Sequence, residues 1–169
     1  MKTCCIASVE EAELAISYGV DALGLVAAMP SGPGVIDDDK ITEIAGMVPP
    51  CVDSFLLTSR VKGEDIVHHV KNCGPNTVQI VQHIDVSEYP VIIKAIPHVR
   101  RIQVIHVEDE SALDLIEIYQ PYIDAFLLDS GKPNAAIAEL GGTGQTHDWS
   151  ISAEFVKRSN KPVFITLGI

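Results

Sequence analysis

The amino-acid sequence predicts a single (β/α)8 barrel, a TIM barrel, that is C-terminally incomplete and has about seven strands. Seven short apolar runs alternate with helical segments, as in parallel sheets that helices cover on the outside. Each βα unit spans roughly 20 to 30 residues, a spacing that suits the barrel. The chain ends at Ile169, in or just after the seventh run, so we expect a truncated barrel or one lacking its last βα portion. An open α/β sheet is the alternative on pattern alone.

The predicted strands are nearly continuous runs of apolar residues, bounded by turn residues or charged groups. They are Lys2–Ala7, Asp21–Val26, Cys51–Thr58, Thr77–Val81, Arg101–Val107, Ile123–Asp129 and Pro162–Leu167. No linker, repeat array or low-complexity tract divides them, so residues 1–169 are predicted to form one domain.

Helix start and stop signals lie between these runs. Ser8 and Glu11 form the pattern of a capping box, and Gly19 is placed to end the first helix in the left-handed conformation. The second helix, Asp37–Val48, begins with an acidic turn that suits the helix dipole and stops before Pro49.

Four further helices complete the alternation. They are predicted at Gly63–Asn72, Ser87–Ile96, Asp109–Tyr119 and Trp149–Ser159. Pro90 weakens the signal of the second of these helices. His68 and His69 are predicted to be solvated positions of the first.

Composition excludes several classes of partner. The net charge is −11 with only 12 basic residues, so nucleic acid and anionic membranes are not expected to bind. No apolar run approaches the roughly 18 residues of a membrane-spanning helix, and no signal peptide is visible after Met1. The four cysteines form neither a disulfide framework nor a zinc pattern. We therefore predict a cytoplasmic protein without a metal.

The segment from Ile123 to Trp149 carries the residues most suited to chemistry. Its apolar run ends at Asp129, and the glycine-rich loop Gly141-Gly142-Thr143-Gly144 leads to a helix start that Asp148 can cap. Barrel enzymes place catalytic groups at the carboxyl ends of strands, and glycine loops before helices bind phosphate. On their own, Asp129 could be a turn cap and the glycines a simple turn.

The order LLDS…GGTG…DW, together with Lys2-Thr3-Cys4-Cys5-Ile6 in the first strand, resembles the phosphoribosylanthranilate isomerase family. The resemblance implies an aldose–ketose (Amadori) isomerase of tryptophan biosynthesis, without an organic cofactor, acting on a small phosphorylated sugar as a monomer or homodimer. By position, Cys4 matches the family's general base and Asp129 its general acid. By position, Gly168 keeps a glycine that the family has at the end of the seventh strand. The loop Gly141-Gly142-Thr143-Gly144 is the other candidate for binding phosphate, through its backbone N–H groups before a helix start.

Two departures from the family pattern bear on the base and on the substrate. Cys5 stands where the family has glycine, and the segment after the second strand lacks the arginine that binds the anthranilate carboxylate. Arg60, just after the third strand, is a candidate replacement. A histidine, His106, ends the fifth strand and is expected to be a hydrogen-bonded structural residue more often than a catalyst.

Two other functions remain open. One is a related sugar-phosphate isomerase with a different amine substrate, which the missing arginine favours. The other is a non-catalytic barrel that binds a phosphate ligand, which the presence of both Cys4 and Asp129 disfavours.

Overall fold

The computed structural model describes residues 1–130 and 149–166, in which the apolar runs form a parallel β-sheet. The seven strands are β1 (Lys2–Thr3), β2 (Ala22–Val26), β3 (Asp53–Thr58), β4 (Thr77–Ile80), β5 (Arg100–His106), β6 (Ala125–Asp129) and β7 (Val163–Ile165). They lie in chain order and each pairs in parallel with the next. A doubly wound sheet reverses its order at a switch point, so this order confirms the barrel prediction.

The sheet is curled rather than open. Phe55 on β3 and Phe164 on β7 are four strands apart, which on a flat sheet would separate them by about 19 Å. Their ring centroids are 6.2 Å apart. The Lys2 ammonium of β1 likewise reaches the side-chain oxygen of Gln79 on β4 at 2.9 Å. One face of the sheet therefore encloses an interior.

Side chains that alternate along the strands form two separate apolar clusters. The interior cluster consists of Ala22, Val26, Phe55, Leu57, Val81, Ile102, Val104, Ala125 and Leu127. The outer cluster takes the intervening strand residues, such as Leu23, Leu56 and Phe126, and packs them under the helices. Because successive strand residues point to opposite faces, this pattern shows which face any other strand residue occupies.

In the described ranges, six helices cover the outside of the sheet. They are α1 (Val9–Ser17), α2 (Asp38–Met47), α3 (Gly63–Cys73), α4 (Tyr89–Ala95), α5 (Leu115–Tyr119) and α6 (Trp149–Arg158). Short 3₁₀ turns at Val86–Glu88 and Glu110–Asp114 precede α4 and α5. Pro90 lies in the first turn of α4, where its missing N–H costs no hydrogen bond. In the described residues, no helix has the length and apolar character to cross a bilayer.

The predicted capping residues act as expected. Ser8 accepts a hydrogen bond from the Glu11 backbone N–H at 3.2 Å, and the Glu11 carboxylate accepts one from the Ala7 N–H at 2.8 Å. Asp37 caps α2 through the Lys40 N–H. Gly19 has φ of +79°, the left-handed conformation in which glycine ends helices without a steric penalty.

The first strand is shorter than predicted. The prediction Lys2–Ala7 is wrong beyond Thr3, where β1 ends. Cys5 has φ of +62°, and a left-handed residue cannot continue a β-strand. The chain therefore turns out of the sheet directly after Cys4, at the carboxyl end of β1.

Candidate active site

Cys4 lies at the carboxyl end of β1 and its thiol is exposed. It packs on Gly24 of β2: a Cβ built on Gly24 would lie 2.6 Å from the Cys4 Sγ and 3.1 Å from its Cα. Gly24 alternates with Ala22 and Val26 of the interior cluster, so it faces the interior. The missing side chain of Gly24 thus makes the space into which the Cys4 thiol points.

An ammonium group lies next to this thiol. Lys2 donates a hydrogen bond to the Cys4 Sγ at 2.8 Å and another to the Gln79 Oε1 at 2.9 Å. The Lys2 Nζ also lies 5.0 Å from the centroid of the Phe55 ring, within the range of a cation–π interaction. The Cys4 sulfur is therefore held by a cation that two other strands, β3 and β4, keep in place.

Cys5 is turned away from Cys4 and occupies a different environment. It is half-buried, and its thiol donates to the Pro33 carbonyl oxygen at 3.6 Å. Burial raises the pKa of the Cys5 thiol, and the neighbouring Cys4 raises it further. The left-handed conformation at Cys5 is one that glycine adopts freely, which gives a physical reason for the glycine that the family has at this position.

Asp129 ends β6 on the same face of the sheet, since it alternates with Ala125 and Leu127 of the interior cluster. Its Oδ1 accepts hydrogen bonds from the Ser130 N–H at 2.8 Å and from the Thr166 hydroxyl at 2.9 Å. The carboxyl group is half-buried. Cys4 and Asp129 therefore both lie at carboxyl ends of strands and on the face that encloses the interior.

His106 lies beside Asp129 but is held by the protein. The two residues are paired in register between β5 and β6. The His106 Nε2 donates to the Val81 carbonyl oxygen at 2.8 Å, and the ring packs against His83 with centroids 5.7 Å apart. Burial, and then the proximity of His106, lowers the pKa of His83 to about 4. These contacts agree with the structural interpretation of His106.

Arg60 is directed over the helices and not toward the interior. Its Nε donates to the His69 Nδ1 of α3 at 2.9 Å, and its Nη2 lies 3.9 Å from the Asp38 carboxylate of α2. The structure therefore does not bring Arg60 together with Cys4 and Asp129. Its predicted role in binding a substrate carboxylate would require these contacts to break.

The prediction that His69 is solvated is wrong, because only 2% of its surface is exposed. Its Nε2 contacts the Asp38 Oδ1 at 3.1 Å, while Thr58 and Arg60 contact its Nδ1. Burial chiefly lowers the pKa of His69. His68, the other member of the pair, is exposed as predicted.

Asp38, His69 and Cys73 present ligand-type atoms within 4.8 Å of one another. The Arg60 N–H occupies the Nδ1 lone pair of His69, so its Nε2 carries the proton that Asp38 accepts. The Cys73 thiol donates to the Asp38 carbonyl oxygen at 3.8 Å. Neither ring nitrogen is free for a cation, and the guanidinium would repel one. The cluster is thus a hydrogen-bonded network.

The predicted phosphate-binding residues lie outside the described part of the chain. These are Gly141, Gly142, Thr143, Gly144 and Gly168. Their role stays a prediction.

Several residues that shape the site were not predicted from sequence. Lys2 and Gly24 contact Cys4, and Thr166 contacts Asp129. A glycine in the middle of a strand indicates a close approach of another chain segment. The contact at Gly24 could therefore have been predicted from the sequence. Lys2 and Gln79 are 77 residues apart, and nothing local connects them.

A sequence relative and two solved structures that match this chain come from the same enzyme family. N-(5'-phosphoribosyl)anthranilate isomerase 2 of Methanosarcina mazei is 31% identical over 170 residues, covering 100% of this chain and 74% of that protein. The crystal structure of phosphoribosyl anthranilate isomerase from Thermus thermophilus matches with a TM-score of 0.79 at 20% identity, over 99% of this chain and 76% of that chain. No family model matches the chain.

A second solved structure adds a ligand to the comparison. It is a phosphoribosyl anthranilate isomerase in complex with reduced 1-(o-carboxyphenylamino)-1-deoxyribulose 5-phosphate. It matches with a TM-score of 0.72 at 20% identity, over 99% of this chain and 75% of that chain. At this identity the solved structures establish the fold, while the sequence relative establishes the family.

Proposed function

The chain belongs to the phosphoribosylanthranilate isomerase family, and from this premise we propose that it catalyses the Amadori rearrangement of N-(5'-phosphoribosyl)anthranilate in tryptophan biosynthesis. Cys4 is the general base and Asp129 the general acid. The observation that carries the proposal is their shared position: both side chains are on the enclosed face of the sheet, at the end where barrel enzymes have their active sites.

The first step of the proposed reaction opens the sugar. Asp129 gives a proton to the furanose ring oxygen, the ring carbon–oxygen bond breaks, and a Schiff base forms with the amine nitrogen. Both donors contributed by the described residues bind the Oδ1 of Asp129. This arrangement orients the carboxyl group and leaves Oδ2 to carry the transferred proton.

The second step moves a proton on carbon. The Cys4 thiolate removes the proton from the carbon next to the Schiff base, which the iminium charge has made acidic. The electron pair forms an enolamine. Protonation of its former aldehyde carbon, with loss of the proton from the hydroxyl on the neighbouring carbon, gives the ketone. One acid and one base are sufficient for both steps.

The identity of the amine that the substrate carries depends on whether the site can bind a carboxylate. Residues 27–34, which follow β2, contain no lysine or arginine, and Arg60 is bound to His69 and Asp38. A carboxylate left without a cation in a dry site would cost about 2–5 kcal/mol. These observations favour, as the second candidate function, a related isomerase whose amine lacks the anthranilate carboxylate.

Other parts of the proposal rest on sequence. The glycine-rich residues 141–144 and Gly168 would bind the substrate phosphate through backbone N–H groups. We also propose a cytoplasmic enzyme, since four unpaired cysteines suit a reducing compartment. Whether it acts as a monomer or a homodimer stays a prediction.

The test is turnover by the purified chain. With phosphoribosylanthranilate, we expect loss of substrate fluorescence in the native protein, and a loss of rate of about 10²–10⁴-fold in Asp129→Asn and in Cys4→Ser. The matched controls are Asp114→Asn and Cys51→Ser, which change exposed residues of the same types and should retain the native rate. Binding of ribose 5-phosphate without turnover of this or related ribosylamines would instead support the binding barrel and contradict the proposal.

A further inference from the structure

The interior holds one cation in contact with the candidate base. Among residues 1–130 and 149–166, Lys2 is the only lysine or arginine that hydrogen-bonds to Cys4 or Asp129. The remaining basic side chains that form ion pairs do so with acidic groups elsewhere, such as Arg101 with Asp124 at 2.8 Å. A lysine directed into an enclosed interior loses hydration, so its partners there determine what it does.

The partners of Lys2 fix its ammonium in place. The Gln79 side chain is 5% exposed and accepts from Lys2 at 2.9 Å, while the Phe55 ring presents a face 5.0 Å from the Nζ. Both come from strands other than β1, so the ammonium is held from across the interior. Its hydrogen bond to the Cys4 Sγ at 2.8 Å is therefore part of a supported arrangement.

We propose that Lys2 is a positioning residue that holds the Cys4 sulfur in place and aims it at the substrate. This inference rests on the proposed function, in which Cys4 is the base. Lys2 keeps its own proton throughout: the thiolate takes the substrate proton and becomes a thiol, and it returns to the thiolate after that proton leaves. The ammonium compensates the negative charge that the sulfur carries between turnovers.

The titratable neighbours of this pair are few. Cys5 is an ionisable group beside this pair, and burial raises the pKa of Cys5, which keeps that thiol neutral. The facing groups from β2, β3 and β4 are Gly24, Phe55 and Gln79, none of which titrates. A change at Lys2 also acts on Cys5, whose pKa the ammonium lowers, so alkylation has to be followed at each cysteine separately.

Lys2 has three donors and uses two of them here, so a third could bind a substrate anion directly. The two roles differ in what they change. A positioning role alters the reactivity of Cys4 in the absence of any substrate and lowers kcat. An anion-binding role leaves the free thiol unchanged and raises KM.

The experiment measures the rate at which iodoacetamide alkylates Cys4 in the full chain without substrate, with each cysteine resolved by peptide mass spectrometry. We expect Lys2→Met to lower this rate about tenfold at pH 7, because the sulfur loses the charged donor that holds it. Lys2→Arg keeps the charge and should restore most of the rate. Gln79→Met, which removes the ammonium's anchor, should give an intermediate rate. Lys94→Met, an exposed lysine of α4, should behave as the native chain.

The outcomes separate this inference from the proposed function. An unchanged alkylation profile in folded Lys2→Met, with only KM raised, would overturn the positioning role even if the chain is an active isomerase. A tenfold slower alkylation in a chain without isomerase activity would support the Lys2–Cys4 pair and contradict only the proposed reaction.

Discussion

Within residues 1–130 and 149–166, two clusters place a thiol near a cation. They are the Lys2–Cys4 cluster and the Arg60–His69–Cys73 cluster. In the Lys2–Cys4 cluster, the lysine ammonium donates directly to the cysteine sulfur at 2.8 Å. In the Arg60–His69–Cys73 cluster, the arginine donates to the histidine at 2.9 Å, and the thiol donates its own proton to a carbonyl oxygen. The residue types are similar, but the sulfur accepts in one cluster and donates in the other.

The direction of these hydrogen bonds decides the chemistry. The Cys4 sulfur offers its lone pair to an ammonium donor. Burial chiefly raises the pKa of Cys73, and the carboxylate of Asp38 raises it further, so that thiol stays protonated. In the Lys2–Cys4 cluster the sulfur accepts from a cation, whereas the Arg60–His69–Cys73 cluster links α2 and α3 to the end of β3.

The largest effect is expected from a substitution of Gly24, the glycine on which Cys4 packs. Gly24→Ala places a methyl group 2.6 Å from the Cys4 Sγ, so the thiol and its backbone must shift. A displacement of about 1 Å at a reacting atom costs roughly 100-fold in rate. We expect kcat/KM to fall by about this factor in the fluorescence assay.

Gly46→Ala is the matched control for this change. Gly46 lies in α2, and an added Cβ there meets nothing within 4 Å. Activity should be native and stability should rise by up to about 1 kcal/mol. Native activity in Gly24→Ala would show that the position of Cys4 is unimportant.

The next prediction compares the two thiols directly. At pH 7, iodoacetamide should alkylate Cys4 at least about tenfold faster than Cys73, because Cys4 is exposed and Cys73 is buried with a raised pKa. Peptide mapping over time measures both rates in one sample. Equal rates for the two residues would remove the distinction between the clusters.

A third prediction concerns the Arg60–His69–Cys73 cluster. His69→Gln should lower the free energy of unfolding by about 1–3 kcal/mol, since Arg60 and Asp38 lose a buried partner. Turnover by the folded protein should be unchanged. Urea denaturation with activity measured below the transition tests both, and a loss of activity without a loss of stability would contradict the structural role.

The same residue gives a pH dependence with a definite sign. The pKa of His69 is lowered from 6.5 in the folded protein, mainly by burial, so the unfolded chain binds the proton first as pH falls. The native chain should therefore lose stability below about pH 6.5. His69→Gln should lose less over the same range, and parallel curves would contradict this origin.

The sequence was informative where structure is determined locally. Strand runs, the capping by Ser8 and Asp37, and the left-handed Gly19 all depend on neighbours within a few residues. The rim positions of Cys4 and Asp129 follow from strand ends in a barrel. His69 was misjudged because the packing of α3 against β3 and α2 decides which of two adjacent histidines is buried, and that packing is not local.

The smallest effect is expected at Cys5, the residue next to the Lys2–Cys4 cluster. Cys5→Gly removes a side chain from a residue with φ of +62°, a conformation that costs a non-glycine residue about 1–2 kcal/mol. The greater chain entropy of glycine when unfolded offsets part of this gain. We expect a rise of at most about 1 kcal/mol in the free energy of unfolding by urea denaturation, and a clear loss would show that the Cys5 contact with Pro33 outweighs the strain.

The division of labour between Cys4 and Asp129 is tested most directly by a kinetic isotope effect. The substrate carries deuterium on the carbon that the base deprotonates, and turnover is compared in Cys4→Ser and Asp129→Asn. With the base weakened, carbon–hydrogen cleavage limits the rate and a primary isotope effect is expected. With the acid removed, ring opening limits the rate and the effect should be close to 1. Equal isotope effects in the two variants, or a larger one in Asp129→Asn, would contradict the assigned roles.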